Sequence, residues 1–518
     1  MENKIKILWA DDEIDMLKAH IIFLEQKGYA VDTTNNGDEA IDLIRENIYD
    51  IVFLDENMPG LSGLETLQLI KGLHPRMPVV MITKSEEETI MEEAIGSNIS
   101  DYLIKPVKPQ QLLLSLKKNL DTKELVSQKT SFTYQQEFRS LGMEISNNLT
   151  VAEWKTVYKK LVDWELRLTL SGDESMMQIL QMQKEEANHV FARFVEKNYI
   201  DWIWNRSEEK PLMSHTLLRD KLFPMLDKPE PVFLILIDNL RYDQWKTIQP
   251  LIEEGFRIET DDVYYSILPT VTQFARNALF SGLMPAEIEK KYPQYWIQEW
   301  DEGTKNQFEG DLFGEFLKRH GRDIRFSFTK VLNLGVGRKL VDNLSNLMEN
   351  KLNVVVYNFV DMLSHARTEM EIIRELADDE PAYRSLTRSW FEHSPLIDII
   401  RYLASKKVNI LLTTDHGSIR VQSPVKVVGD KQTNTNLRFK TGKNLNFNKK
   451  EVFAVRTPEE ILLPRQNVSS SIIFARNDDF FAYPNNYNYY ANHYRNTFQH
   501  GGVSMEEILI PVVSLVAK

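Results

Sequence analysis

Acidic, hydroxyl and lysine side chains end the predicted strands of the first 120 residues. Asp11 and Asp12 follow KIKILWA, Asp55 ends DIVFLD, Thr83 ends MPVVMIT and Lys105 follows DYLI. The carboxyl ends of parallel strands border one crevice of an open α/β sheet, so these side chains should converge there. Clustered carboxylates repel one another unless a cation lies among them, and oxygen ligands favour Mg²⁺. The pattern therefore predicts a magnesium site where Asp55 accepts a phosphoryl group whose oxygens contact Thr83 and Lys105.

A second set of carboxylates and imidazoles follows later apolar runs. It comprises three carboxylates and three imidazoles: Asp238, Asp361, His365, Asp415, His416 and His500. Each carboxylate is expected at a strand end, and His365 lies one helical turn after Asp361, so that both can face one ion. Six such ligands exceed the four positions of one zinc ion but suit two. Two metal ions in one crevice are suited to phosphoryl or sulfuryl transfer.

The segment LPTVTQFARNALFSG supplies a candidate nucleophile. Pro269 ends an extended stretch, and a helix should begin near Thr272, which places its hydroxyl beside the free amides of the helix start. A metal ion there would depress the pKa of this hydroxyl and activate it for attack. Each residue also has an ordinary role: Thr272 as an N-cap, Asp238 as a helix cap and His500 as a hydrogen-bonded structural residue. Their joint occurrence along alternating elements favours catalysis.

The elements that must position these residues divide the chain into three predicted domains. Residues 1–120 alternate short apolar strands with amphipathic helices, which predicts a doubly wound, flavodoxin-like α/β sheet. Residues 121–225 predict a helical bundle and linker, because apolar residues recur at steps of three and four and proline is absent from 110 to 210. Residues 226–518 return to alternation and predict a larger α/β domain. The polar, basic stretch 430–450 is expected to be an exposed insertion.

The composition limits the classes of function. The chain has 518 residues, no cysteine and a formal net charge of -13 at pH 7. The lack of cysteine excludes disulfides and thiolate metal sites and fits a reducing compartment. The acidic balance disfavours a long nucleic-acid duplex as a partner, and no direct DNA-binding motif is evident. The start MENKIKILWADDE does not resemble a secretory leader, and no apolar run reaches the roughly 20 residues of a membrane span. A cytoplasmic location is expected.

The first 120 residues resemble a response-regulator receiver domain through WADDE, FLDENMPGLSG, MITKS and YLIKP. The resemblance implies that Asp55 is the phosphoacceptor. It also implies that Asp11 and Asp12 are acidic residues of the Mg²⁺ site, to which Asn57 contributes its backbone carbonyl.

The same resemblance assigns the receiver switch to Thr83, Lys105 and Tyr102, of which Tyr102 is the aromatic member. It implies a sensor histidine kinase as the source of the phosphoryl group. Receiver domains commonly pair when phosphorylated, so a homodimer is expected on phosphorylation.

Residues 231–518 resemble the alkaline-phosphatase superfamily and, within it, PglZ domains. LILIDNLRYDQW, LPTVTQFAR, FVDMLSHAR, TTDHGS and QHGGVSMEEILIP carry the resemblance. It implies two zinc ions per chain, with Thr272 as the nucleophile. One zinc would be held by Asp238, Thr272, Asp415 and His416, and the other by Asp361, His365 and His500. The three-part layout resembles response regulators tied to type IX secretion in Bacteroidetes, which implies regulation of secretion or its genes, with a sigma factor or secretion-system component as a candidate partner.

Phosphorylation-controlled, zinc-dependent phosphodiesterase activity is the favoured function. Diesters are preferred to monoesters because no third metal site is evident that could offset a dianionic monoester. The aromatic run at 478–498 suits stacking on nucleobases, so oligonucleotides are candidate substrates, with His493 and Arg495 as candidate phosphate contacts. The same run is equally consistent with a packed, polar-edged loop. The alternative function is a non-catalytic, metal-stabilised binding module that switches contacts with a transcription or secretion partner.

Overall fold

The computed structural model of the chain describes residues 5–75, 77–84, 99–299, 301, 303–369, 379–430, 433–465 and 469–518. The side chains of residues 121–129 and 365–369 also lie outside this description. The chain divides into two compact units. The first comprises residues 1–134 and 171–173, and the second comprises residues 135–170 and 174–518.

The first unit contains a parallel five-stranded sheet in the order β2-β1-β3-β4-β5. Its strands are β1 Lys6–Ala10, β2 Ala30–Thr34, β3 Ile51–Asp55, β4 Val79–Thr83 and β5 Asp101–Ile104. Its helices include Lys18–Gln26, Gly37–Glu46, Gly63–Leu73 and Pro109–Leu116. Alternate residues of β1 enter different cores: Leu8 packs on one face and Trp9 on the other. Both faces are thus covered, which explains the continuous apolar strands and confirms the doubly wound sheet.

Three long helices form the middle region: Thr122–Ser146, Val151–Ser171 and Glu174–Ile203. The predicted apolar stripe of the second helix is buried; it consists of Trp154, Val157, Leu161, Trp164 and Leu168. Within the second unit, the Trp154 ring packs edge-on against Phe191 with centroids 5.2 Å apart. The indole of Trp164 donates to Glu137 Oε2 at 2.9 Å. The stripe is therefore structural core, which confirms the helical prediction.

The second unit is organised on a six-stranded sheet in the order β7-β18-β10-β6-β9-β8. Its strands are β6 Val232–Ile237, β7 Phe256–Tyr265, β8 Phe326–Val331, β9 Leu352–Tyr357, β10 Asn409–Thr413 and β18 Leu509–Ala517. Strands β10, β6, β9 and β8 are parallel, whereas β18 is antiparallel to both β10 and β7. The carboxyl ends of the parallel strands consequently meet at one edge, where the predicted ligands lie.

Helices and short strands surround this sheet. The helices are Ser214–Leu217, Phe223–Leu226, Tyr242–Glu253, Thr272–Ser281, Pro285–Lys291, Glu309–Arg319, Leu334–Asp342, Leu344–Leu347, Phe359–Glu369, Glu380–His393, Pro395–Ala404, Tyr487–Tyr494 and Met505–Ile508. The short strands are β11 Ile419–Arg420, β12 Ser423–Lys426, β13 Phe439–Gly442, β14 Val452–Val455, β15 Ser471–Ala475, β16 Asp479–Ala482 and β17 Phe498–Gln499. Across the described residues, every helix is too short or too polar to cross a membrane.

The prediction that 430–450 is an exposed insertion is wrong over its centre, which forms β13. Arg438 and Lys440 are fully buried there. Their charges have partners, because Arg438 pairs with Glu507 and the Lys440 ammonium donates to the carbonyl of Asn434 at 2.9 Å. Basic composition alone does not reveal such buried partners, so the stretch was misinterpreted as solvated.

Candidate functional site

The predicted receiver residues converge at the carboxyl ends of β1, β3 and β5. Oxygen atoms of Asp11, Asp12 and Asp55 lie within 4.8 Å of one another. The ammonium of Lys105 lies 2.9 Å from Asp11 Oδ2 and 3.1 Å from Asp55 Oδ1. Asp11 and Asp55 are buried, while Asp12 and Asn57 are exposed. This arrangement can hold a divalent cation and leave the Asp55 carboxylate facing a phosphoryl donor.

Burial shapes the electrostatics of this crevice. Desolvation raises the pKa of Asp55 to about 6; Lys105 opposes the rise and Asp11 adds to it. Burial works to lower the pKa of Lys105, but the Asp11 and Asp55 carboxylates outweigh it, so that this pKa is raised. Burial likewise raises the pKa of Tyr102, which hydrogen-bonds with Thr83 in opposition to that shift. The three predicted switch residues therefore contact the acidic cluster or one another.

In the second unit, the helix Thr272–Ser281 places the candidate nucleophile. Val271 is the N-cap, so Thr272 is the first helical residue and does not cap the helix. Its hydroxyl Oγ1 lies 3.0 Å from His416 Nε2 and 3.4 Å from Asp238 Oδ1. The side-chain amide of Asn306 donates to the Thr272 carbonyl at 3.0 Å and fixes this turn. The hydroxyl is thus directed at the predicted metal ligands beside the free amides of a helix start.

Asp238, Asp415 and His416 form one group with ligand atoms within 4.8 Å of one another, and all three are buried. His416 Nε2 is 3.6 Å from Asp238 Oδ1 and 3.9 Å from Asp415 Oδ2. Asp415 Oδ2 receives no hydrogen bond within the described part of the chain. Desolvation, reinforced by Asp238, raises the pKa of Asp415 well above its ordinary value, although Arg276 opposes the rise. A buried carboxylate pair with an orphaned oxygen fits a dication, which supports a metal site.

Asp361, His416 and His500 form the other group. His500 Nε2 is 3.5 Å from Asp361 Oδ1, and the rings of His416 and His500 stack with centroids 4.3 Å apart. Each imidazole directs Nδ1 to a backbone carbonyl: His416 to Gly417 at 3.1 Å and His500 to Thr270 at 3.2 Å. These contacts favour protonated Nδ1, the tautomer in which Nε2 carries the lone pair that a metal ion would bind.

Two details differ from the sequence prediction. Asp361 does not end a strand: β9 stops at Tyr357, and Asp361 lies in the first turn of the helix Phe359–Glu369. His416 belongs to both groups and not to one alone. The side chain of His365 lies outside the described residues, so its role as a ligand stays a prediction.

Arg276, which sequence reasoning missed, lies at the centre of the site. Its Nη1 donates to Asp238 Oδ2 at 2.7 Å and its Nε to Glu309 Oε1 at 2.6 Å. The nearest Asp415 oxygen is 3.9 Å away. Arg276 therefore holds one oxygen of Asp238 and directs the other towards Thr272 and His416. Its position one helical turn after Thr272 was the available signal, since both lie on the same helix face.

Asn239 connects the two groups and was also missed. Its φ of 62° turns the chain directly after Asp238, in the left-handed region that asparagine tolerates better than most residues. This turn brings its N–H to 3.4 Å from Asp415 Oδ1, while its side-chain amide lies 3.4 Å from Asp361 Oδ1. One residue thus orients a carboxylate from each group.

The loop that carries His500 is fixed by buried Glu507. One Glu507 oxygen accepts the N–H of Gly502 at 2.8 Å, and the other accepts the hydroxyl of Ser504 at 2.7 Å. The guanidinium of Arg438 pairs with both oxygens, at 3.1 and 2.5 Å. Gly502 has no room for a Cβ, which would lie 2.6 Å from the Ala475 carbonyl. The close approach explains the glycine, and the ion pair fixes the loop.

The candidate substrate contacts His493 and Arg495 lie apart from the carboxylate–imidazole groups in their described contacts. His493 stacks on Tyr489 within the helix Tyr487–Tyr494, with centroids 5.8 Å apart. Arg495 is exposed and donates to the Gln422 carbonyl at 3.2 Å. Tyr494 packs beside a cluster of buried apolar side chains. Among the described contacts, neither His493 nor Arg495 reaches the carboxylate–imidazole groups. The run forms β16 and this helix, with Phe480 and Phe481 buried and Tyr489 exposed, so its role in substrate contact stays a prediction.

Comparison with known proteins finds three family matches along the chain. Family models match a response regulator receiver domain at residues 7–117, the PorX response regulator linker domain at 124–203 and the BREX system PglZ alkaline phosphatase-like domain at 217–515. The last match covers more than half of the chain.

Curated relatives match the receiver region. Transcriptional regulatory protein ResD of Bacillus subtilis is 36% identical over 115 residues, which is 22% of this chain and 48% of ResD. Alginate biosynthesis transcriptional regulatory protein AlgB of Pseudomonas syringae is 35% identical over 124 residues, 24% of this chain and 28% of AlgB. The chain thus spans less than half of the length of these relatives.

Solved receiver domains are similar to the same region. The receiver domain from Clostridium thermocellum is 32% identical and covers 23% of this chain and 98% of its own, with a TM-score of 0.22 over the whole comparison. A CheY-like receiver from Methanospirillum hungatei is 27% identical, covers 24% of this chain and 98% of its own, and gives a TM-score of 0.23.

A receiver domain implies a cognate sensor kinase, and a PglZ domain implies a hydrolase-like effector. The crevice around Asp55 lies in the matched receiver domain, and the carboxylate–imidazole groups around Thr272 lie in the matched PglZ domain. The chain belongs to the PglZ alkaline-phosphatase-like family and is a response regulator of the PorX type, with receiver, linker and PglZ domains in that order.

Proposed function

We propose that the second unit is a zinc-dependent phosphodiesterase and that phosphorylation of Asp55 controls it. One observation carries the proposal: the Thr272 hydroxyl at a helix start lies 3.0 Å from His416 Nε2, where the two carboxylate–imidazole groups share His416. A nucleophilic hydroxyl, an anion-binding helix start and ligands for two ions are the parts that phosphoryl transfer requires.

The chain's own residues supply most of this chemistry. Thr272 Oγ1 would lose its proton to solvent and bond to phosphorus while the P–O bond to one alcohol breaks and that alcohol leaves with a proton from water. Water would then hydrolyse the phosphothreonine, which releases the phosphomonoester and restores the hydroxyl. The free amides of the first helical turn are placed to bind the phosphoryl oxygens. Arg276 holds Asp238, and Asn239 holds Asp361 and Asp415 in orientation. Zinc ions bound to the two groups would lower the pKa of the attacking hydroxyl and withdraw charge from the phosphoryl oxygens.

The ligand inventory supports a diester substrate. Within the described residues, one further acidic group has ligand atoms within 4.8 Å of one another: Glu165, Asp243 and Glu380. Arg241, Lys184 and Arg384 already pair with it. Because lysine and arginine side chains already neutralise that group, it is not available to bind a third metal ion that would offset the second charge of a monoester. A singly charged diester is the better match, and oligonucleotides belong to that class. The family layout supports type IX secretion as the regulated process.

The test compares Thr272→Ala with Thr272→Ser, which retains a hydroxyl. Hydrolysis of bis-p-nitrophenyl phosphate should fall by about a thousandfold in Thr272→Ala and remain measurable in Thr272→Ser. Elemental analysis should find zinc in both variants, because the carboxylates and imidazoles remain. If Thr272→Ala hydrolyses the diester at the parental rate, the nucleophile is another residue. Lack of turnover by the zinc-loaded parent would favour the binding module.

A further inference from the structure

A cavity of about 650 Å³ lies within the second unit, between two helices of the middle region and the α/β domain. Its lining, as far as the described residues show it, includes seven carboxylates but only two lysine or arginine side chains, Lys184 and Arg420. Such a surplus of negative charge in a concave site attracts cations.

Three of the seven carboxylates have lysine or arginine partners, whereas, among the described contacts, Glu185 and Asp379 accept hydrogen bonds only from neutral groups of Gln181 and Ala382. Lys184 Nζ lies 2.6 Å from Glu165 and 3.5 Å from Glu506, and Arg241 pairs with Glu380. The side-chain amide of Asn188 also donates to Glu506 at 2.9 Å. These contacts use the charge of Lys184, so it does not compensate the rest of the cavity.

The other four carboxylates are Glu185, Asp379, Asp478 and Asp479. None of them has a lysine or arginine nitrogen within 4.0 Å among the described residues. Desolvation raises the pKa of Asp478 and raises that of Asp479 to about 7, with Arg438 opposing both shifts. Burial of these neighbouring acids is therefore costly without a cation in the cavity.

An independent observation points to a ligand with N–H donors. Asn477 lines the cavity and is 6% exposed, and its Oδ1 has no hydrogen-bond partner in the described part of the protein. Its Nδ2 already donates a hydrogen bond to His189 Nδ1 at 2.6 Å. An orphaned buried acceptor costs free energy that a donor in the cavity would recover.

We propose that this cavity binds a small organic polycation of the linear polyamine class. The volume far exceeds that of one metal ion. Asp478, Asp479, Glu185 and Asp379 do not belong to any group of three ligand atoms within 4.8 Å in the described residues, as a single ion would need. Apolar side chains of Met177, Pro381 and Ile419 lie among the carboxylates and suit methylene segments between ammonium groups.

The bound polyamine would contact segments that continue into the predicted zinc ligands. Ile419 and Arg420 lie shortly after His416, and Glu506 precedes Glu507, which fixes the loop of His500. The opposite wall is the helix Glu174–Ile203. Polyamine binding therefore connects the middle helices to two loops of the metal groups.

Isothermal titration of spermidine into the full chain, loaded with zinc and Mg²⁺ so that the metal groups are filled, tests the proposal. One spermidine should bind per chain. The Asp478→Asn/Asp479→Asn variant should bind at least about fivefold more weakly, because two attractive charges are removed. The control variant Asp342→Asn/Glu349→Gln removes two exposed acids outside the cavity and should stay within about twofold of the parent.

Substitutions at Ser423 test the charge dependence of spermidine binding in both directions. Ser423 lines the cavity at its exposed rim. Ser423→Asp should tighten spermidine binding and Ser423→Lys should weaken it, each by about threefold. Absence of saturable heat, equal losses in the cavity and control variants, or no response to charge at 423 would overturn the proposal. Displacement of spermidine by one further equivalent of Mg²⁺, added after the metal groups are filled, would overturn the organic assignment. These outcomes are independent of diester hydrolysis.

Discussion

Removal of the Arg438 guanidinium should destabilise the second unit and release the loop of His500. Arg438 and Glu507 are both fully buried, and their two contacts measure 3.1 and 2.5 Å. In Arg438→Met, Glu507 remains buried as an anion without its cationic partner. Removing one partner of a buried pair costs about 3–5 kcal/mol. The hydrogen bonds from Gly502 and Ser504 remain, so we expect the lower end, about 3 kcal/mol.

A double-mutant cycle that combines Arg438→Met with Glu507→Gln separates the free energy of the ion pair from the effect of the changed side-chain size. The double variant should recover part of the loss, with a coupling free energy of about 2 kcal/mol. Arg388→Met is the matched control, because Arg388 forms a partly exposed pair with Glu392 at 2.8 Å and should cost about 0.5 kcal/mol or less.

Urea unfolding followed by tryptophan fluorescence gives these values. Eight of the nine tryptophans lie in the second unit, Trp9 being the exception, so the signal reports mainly on it. Hydrogen exchange should also accelerate at residues 499–505 in Arg438→Met. A loss below about 1 kcal/mol, or equal to that of Arg388→Met, would refute the reasoning that this ion pair stabilises the loop.

The remaining predictions concern the receiver and the acidic cavity. Asp55→Ala should abolish labelling by a small-molecule phosphodonor with Mg²⁺ while the fold is retained; unchanged labelling would place the acceptor elsewhere. Beryllofluoride should shift the parent from monomer to dimer in analytical ultracentrifugation, since about 3 kcal/mol of coupling changes the ratio about a hundredfold; an unchanged mass with Asp55 modified would contradict this. Because the folded-state pKa of Asp479 is raised to about 7, the contribution of this residue to stability should fall as pH rises from about 4 to 7, which the difference between the parent and Asp479→Asn isolates. Asp479→Asn should gain about 1–2 kcal/mol at pH 8 and nothing below about pH 4; a pH-independent gain would contradict the assignment.

The sequence predicts the site wherever a residue's role follows from its place at a strand end. Asp55 ends one buried parallel strand and Asp238 and Asp415 follow two others, so sheet topology alone brings them to the crevice edges. Thr272 was predicted from the helix start, because the preceding proline and the apolar pattern marked its position.

Other features depend on contacts between distant segments. Arg276 was missed because its role requires Glu309 and Asp238 to approach it, and sequence spacing does not show either contact. Asp361 was placed at a strand end because the apolar run continues into the first turn of a helix. Buried Arg438 was missed because its partner Glu507 lies 69 residues away.

Metal-dependent diester hydrolysis is the central claim, and a zinc titration tests it most directly. Metal is removed from the full chain, zinc is returned in measured equivalents, and turnover of bis-p-nitrophenyl phosphate is followed. The proposed function predicts that hydrolysis is lost in the metal-free chain and reaches its maximum at about two bound zinc ions per chain. Full hydrolysis without metal, or tight zinc binding that never restores turnover, would contradict it.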